Sequence, residues 1–138
     1  MSIYLLDTNV ASHVIRGDRP EINRKLVSLP LSAIAISAIS KGELLYGLAR
    51  RGRPPKLSRL IDEFLIRVDV LAWDQDVAET YGELRAVIEE KGFSLSAADM
   101  MIAAHAVASD ATLVTRDKAF MQISDLLRVE DWILPALA

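Results

Sequence analysis

Four carboxylates draw attention because of what precedes and surrounds them: Asp7, Glu43, Asp99 and Asp117. Asp7 ends the apolar run Ile3-Tyr4-Leu5-Leu6. That run is too short for a helix and suits a buried parallel strand, with the acid at its carboxyl end, where open α/β sheets bind ligands. Asp117 stands two residues beyond a similar run, Thr112-Leu113-Val114-Thr115. Glu43 has Ile39 four positions before it and Tyr46 three after, which places it in an apolar helical stripe. Asp99 precedes Ile102, Ala103 and Ala106 at the spacing of one helix face. Each acid also has an ordinary reading. Asp7 and Asp117 suit turns or caps, Glu43 suits an exposed helix position near Lys41 or Arg50, and Asp99 completes a capping box with Ser96.

Taken together, two acids come from strand ends and two from helices expected to pack on the same sheet. Carboxylates gathered without a counter-charge raise one another's pKa. Hard divalent cations relieve that repulsion, and an oxygen-only donor set suits Mg²⁺ or Mn²⁺. The chain has no cysteine and only two histidines, His13 and His105, far apart in sequence, so zinc is a poor fit. With a phosphodiester as substrate, such ions activate water, hold the scissile phosphate and stabilise the leaving oxygen.

The elements that must position these acids follow from pattern and punctuation. Short buried strands are expected near residues 3–6, 33–36, 68–72 and 112–115, with a last edge strand near 127–129. Helices are expected over 10–16, 20–27, from Ser37 or Ser40 to about Gly52, over 57–67, 74–91 and 97–108, with Thr8 and Asn9 available to cap the first. Strands alternating with helices argue for a parallel sheet covered on both faces. Arg50-Arg51-Gly52-Arg53-Pro54-Pro55-Lys56 is a basic, turn-rich loop. It could track phosphates or lie solvated, and solvation is the more ordinary reading.

A chain of 138 residues, 51% of them hydrophobic, fits one domain with a real core and excludes a disordered or fibrous class. The net charge of −3 argues against a protein that coats nucleic acid, though not against one that cuts it. No apolar run is long enough for a bilayer, and no basic-then-apolar leader opens the chain. These features, with the missing cysteines, agree with a cytoplasmic setting and no membrane partner.

The motifs Leu5-Leu6-Asp7-Thr8-Asn9, Ile36-Ser37-Ala38-Ile39-Ser40 running into Gly42-Glu43-Leu44-Leu45-Tyr46-Gly47, Ala98-Asp99-Met100-Met101-Ile102-Ala103-Ala104-His105-Ala106, Leu113-Val114-Thr115-Arg116-Asp117 and Val129-Glu130-Asp131-Trp132 occur in an order and spacing that resembles the PIN-domain ribonucleases. More narrowly, they resemble VapC-type toxins of bacterial toxin–antitoxin pairs. The resemblance runs nearly end to end. It implies one PIN domain over residues 1–138, an α/β fold built as a three-layer α/β/α sandwich around a mainly parallel sheet of four to five strands.

The same resemblance implies Mg²⁺- or Mn²⁺-dependent endoribonuclease activity on single-stranded RNA or RNA loops, including tRNA or other structured RNA. A VapB-type antitoxin would neutralise it, and a homodimer is expected, alone or within a larger toxin–antitoxin complex. Asp7, Glu43 and Asp99 match the family's metal-binding acids and Asp117 its more variable fourth acid. Thr8 and Thr115 match polar residues around the site, and Arg116, close by in sequence, is the preferred phosphate contact. The expected reaction is in-line attack of an activated water on a phosphodiester. Two other classes stand beside it: an inactive PIN-fold binding module, and a phosphoryl-transfer or receiver-type domain using Asp7. Asn9 occupies the place where the haloacid-dehalogenase pattern has a second Asp, and Asp7 lacks the acidic pair of a receiver domain.

Overall fold

A computed structural model describes residues 2–133. Five strands form one sheet: β1 (Tyr4–Leu6), β2 (Ile34–Ser37), β3 (Asp69–Leu71), β4 (Thr112–Val114) and β5 (Val129–Glu130). Their spatial order is β3-β2-β1-β4-β5 and every pairing is parallel. Six α-helices accompany them: α1 (Thr8–Arg16), α2 (Pro20–Val27), α3 (Ala38–Arg50), α4 (Pro55–Arg67), α5 (Gln75–Glu90) and α6 (Ala97–Ala108). Short 3₁₀ turns occupy Leu31–Ala33 and Lys118–Ile123.

The strands are brief because each serves only as the floor between two helical layers. Leu5, Ala35 and Leu113 face α5 and α6, packing with Val77, Leu84, Ile88, Met100 and Phe120. Leu6, Ile34, Ile36 and Val114 face the other way, against Val10, Ile22, Leu44, Ile61 and Phe64 from α1 to α4. The period-2 alternation of a strand thus sends adjacent residues into separate cores. Both faces are buried, so the strands read as continuous apolar runs.

The order of the strands decides where a ligand can reach the sheet. From β1 the chain moves to β2 on one side, whereas from β4 it moves to β5 on the other. The connections diverge between β1 and β4, and this switch point opens a crevice at the strands' carboxyl ends. Leu6 pairs with Val114 in register, so the residues just beyond them, Asp7 and Thr115, emerge side by side.

The helices decide between the capping alternatives at α1 and correct the face expected for α3. Asp7, not Thr8 or Asn9, caps α1, because its carboxylate accepts the Val10 N–H at 2.8 Å while Thr8 and Asn9 lie within the first turn. The buried face of α3 is Ser40, Leu44 and Leu48. Glu43 is exposed and Tyr46 is 66% exposed, so of the stripe read from Ile39 to Tyr46 only Ile39 packs on a core. Ser37 caps α3 through the Ile39 N–H, Asp74 caps α5 and Ser96 caps α6. Among the described residues no helix is long and apolar enough to cross a membrane.

Candidate active site

Asp7 is the fixed point of the site. Its side chain is only 5% exposed. Oδ1 accepts the Val10 N–H and Oδ2 accepts the Thr115 hydroxyl. The Thr115 oxygen also accepts the Asp117 N–H at 3.0 Å. One buried hydroxyl therefore ties the end of β1 to the loop after β4.

Asp99 and Glu43 come to this rim from opposite layers. Asp99 lies half-buried in the first turn of α6, where its N–H donates to the Ser96 hydroxyl at 3.1 Å. Glu43 lies on α3, which packs against α6. Thr8 donates its hydroxyl to Glu43 Oε1 at 2.6 Å, and Ser40 Oγ lies 3.0 Å from the same Thr8 oxygen. Asp117 is exposed and starts the 3₁₀ turn, where its carboxylate accepts the Ala119 N–H at 2.9 Å.

The electrostatics join these pieces. Burial raises the Asp7 carboxyl above its ordinary value. Hydrogen bonds from Thr115 and Val10 oppose the rise, and the charges of Asp99 and Asp117 add to it. Asp99 is raised first by burial, against the Ser96 hydroxyl, and then by Asp117 and Glu43. Asp99 and Asp117 thus bear on Asp7, and Asp117 and Glu43 bear on Asp99, so Asp99 links the four acids. They are spread rather than clenched: among the described residues no group of three or more acids or histidines is arranged to enclose an ion.

The other residues singled out by the sequence fall around this rim or away from it. Arg116 pairs with Asp131, its Nε 3.4 Å from the carboxylate. His13 bonds Asp18 at 2.9 Å. His105 is buried on α6 and lies 2.8 Å from the Ser37 hydroxyl. Burial lowers its pKa, against an opposing pull from Asp74. Met100 and Trp132 are buried in the two cores. Sequence reasoning missed Ser40 as a neighbour of Thr8. Its signal was a small polar residue at i+3 from Ser37, on what proves to be the buried face of α3.

A family description, PIN domain, fits residues 4–126. The chain belongs to the PIN domain family. Its parallel sheet and flanking helices are those of a PIN fold, and the family resemblance read from the motifs holds. Among curated relatives, ribonuclease VapC2 of Rickettsia felis is 36% identical over 132 residues, covering 94% of this chain and 98% of that protein. The tRNA(fMet)-specific endonuclease VapC of Salmonella typhimurium is 32% identical over 129 residues, covering 94% and 97%. Among solved structures, VapBC2 of Rickettsia felis bound to a promoter DNA fragment superposes with a TM-score of 0.86 at 34% identity, covering 94% of this chain and 98% of that one. Within the PIN family the chain is therefore a VapC-type member.

Proposed function

We propose that this PIN domain, acting as one unit, is an endoribonuclease toxin that cleaves RNA phosphodiester bonds with the help of a divalent cation and is held inactive by a VapB-type antitoxin. The observation that carries the reading is Asp7: a buried acid with a raised pKa, at the β1/β4 switch point, under the influence of Asp99 and Asp117. The similarity to VapC ribonucleases, and to a VapBC complex, supports the activity and the partner.

The residues fit a hard cation in one particular way. All donors are oxygens, and the acids are too dispersed to form a protein cage. That suits Mg²⁺ or Mn²⁺ better than Ca²⁺ or zinc, because Mg²⁺ keeps several waters and rests on one or two carboxylates plus substrate phosphate. Asp7 and Asp99 would hold it, with Asp117 as an outer contact. A bound cation would polarise a water and offset the charge on the scissile phosphate.

The chain's own groups then have separate tasks. Thr115 fixes Asp7 in one orientation, and Thr8 does the same for Glu43. Glu43, with Oε1 held by Thr8, takes the proton of the attacking water on Oε2. The water oxygen bonds to phosphorus as the bond to the leaving oxygen breaks, and the leaving oxygen collects a proton from solvent. Arg116, anchored by Asp131, stands next to this rim in the chain and would contact a phosphate oxygen. The test is cleavage of RNA by purified wild-type and Asp7→Asn protein in Mg²⁺. The wild type should cut and the variant should not; equal cutting by both would overturn the assignment.

A further inference from the structure

The acid rim opens at one end into a cleft between α1, α3 and α4. Thr8 and Glu43 line its near end, and Arg16, Arg50 and Arg51 its far end. A second hollow continues from it, shares Arg16, Arg51 and Leu57 with it, and extends to Lys56. Leucine and isoleucine side chains, including Leu48, Leu57 and Ile61, form the floor. In a chain of net charge −3, four cations thus lie along one trough that begins at Glu43, one of the four acids of the rim. Arg16 is partly neutralised by Asp18, 3.2 Å away. The Arg50 guanidinium sits 5.9 Å from the centre of the Tyr46 ring, which is exposed beside it. Such a pair offers a flat face and a charge together.

We propose that this trough binds the RNA strand on one side of the scissile phosphate, with Arg50, Arg51 and Lys56 neutralising phosphates and Tyr46, exposed beside Arg50 at its edge, stacking on a base. The inference rests on the ribonuclease reading of the acid rim and adds the direction in which the strand leaves it. Single-stranded nucleic acid carries a negative charge at every residue, and stacking on an aromatic ring tolerates any base. A polyanion running out of an acidic crevice needs cations at once on its exit path, and this is the path that supplies them. The basic loop of the sequence is therefore not only solvated charge: the turn at Gly52, with φ of 80°, folds Arg51 and Lys56 back toward the trough.

The experiment separates binding from cutting. Asp7→Asn protein, in chelator, is titrated with a fluorescently labelled single-stranded oligoribonucleotide over a range of salt concentrations. The same is done after adding Arg51→Gln and Lys56→Gln, and, as a control, Lys91→Gln, exposed at the end of α5 in the other helical layer. Each phosphate deprived of its cation should flatten the plot of log affinity against log salt by about 0.7, so the double variant should lose about 1.4 and the control nothing. An unchanged slope and affinity in the double variant would overturn the proposal, and is the result expected if the trough instead serves an acidic protein segment. Failure of the protein with Asp7 intact to cleave RNA in Mg²⁺, with the slope change preserved in the Asp7→Asn background, would sink the ribonuclease reading and leave the trough standing. Tyr46→Ala should weaken binding at every salt concentration without altering the slope; a change in slope alone would overturn its stacking role.

Discussion

Thr115 is the smallest group on which the site depends. Its hydroxyl donates to a buried Asp7 oxygen and accepts the Asp117 N–H. Thr115→Val keeps the shape and removes both bonds, so two polar groups lose their partner at once. We expect the fold to lose about 1–3 kcal/mol in denaturant unfolding, and kcat to fall with little change in KM, because the acid loses its orientation while the RNA keeps its binding groups. Asp7 itself behaves oppositely in stability. Its folded pKa is raised above the ordinary 3.8, so its favourable contribution is present below that value and is lost as pH rises through the folded pKa. At neutral pH the ionised group is a burden on the cation-free fold. Asn can still cap α1. Asp7→Asn should therefore melt higher than wild type in chelator at pH 7, with the gap closing as pH falls toward 4. Differential scanning calorimetry across that range checks the sign. A variant that melts lower at pH 7 and gains on wild type as pH falls would refute it.

Between residue and fold stand the helices that carry the acids, and here a buried pair acts as a bolt. Ser37, at the end of β2, caps α3, and its hydroxyl also meets His105 on α6, 68 residues away in the chain. The helices so joined are those of Glu43 and Asp99. Ser37→Ala removes the cap, worth about 1 kcal/mol, and strands a buried imidazole nitrogen for about 1–3 kcal/mol more. A loss near 1 kcal/mol would show that the cap alone matters. A larger loss, with reduced turnover, would show that the bolt sets the spacing of the two acids. The sequence was legible for the elements because their signals are local: apolar runs ending on Asp7 and Thr115, Pro20 opening α2, Asp74 and Ser96 at helix starts. It was illegible where tertiary packing chooses. The helix α3 has apolar residues on most sides, and its packing against α1, α4 and the sheet decides that Leu44 and Leu48 turn inward and Glu43 outward. The choice among Asp7, Thr8 and Asn9 as the cap of α1 was open for a related reason. Thr8 and Asn9 are equally good caps by type, but the pairing of β1 with β4 ends one residue earlier and leaves Asp7 in the extended conformation that a cap requires.

At the scale of the whole molecule, the acid rim sits where the two cores meet the open end of the sheet. Strands ending at Leu6 and Val114 feed Asp7 and Thr115 into the crevice, α3 brings Glu43 from one layer and α6 brings Asp99 from the other. No single element owns the site, so the fold as a whole bears the repulsion among its acids, and relief of that repulsion should be felt as global stability. A cation that binds the folded form alone stabilises it by about 2.7 kcal/mol at a hundred times its dissociation constant. For a domain of this size that corresponds to a rise in Tm of roughly 5–20 °C. Titrating Mg²⁺ or Mn²⁺ into chelator-treated protein should therefore raise Tm in a saturable way. Asp7→Asn should flatten the response, because it removes the acid on which two others act, whereas Asp117→Asn, exposed and at the edge, should only weaken it. Since the acids form no closed cage, the response should be larger when a non-cleavable phosphodiester analogue is present to complete the coordination. Equal shifts in wild type and Asp7→Asn would mean that the cation binds elsewhere, and that the acids at the switch point are held together by the fold without one.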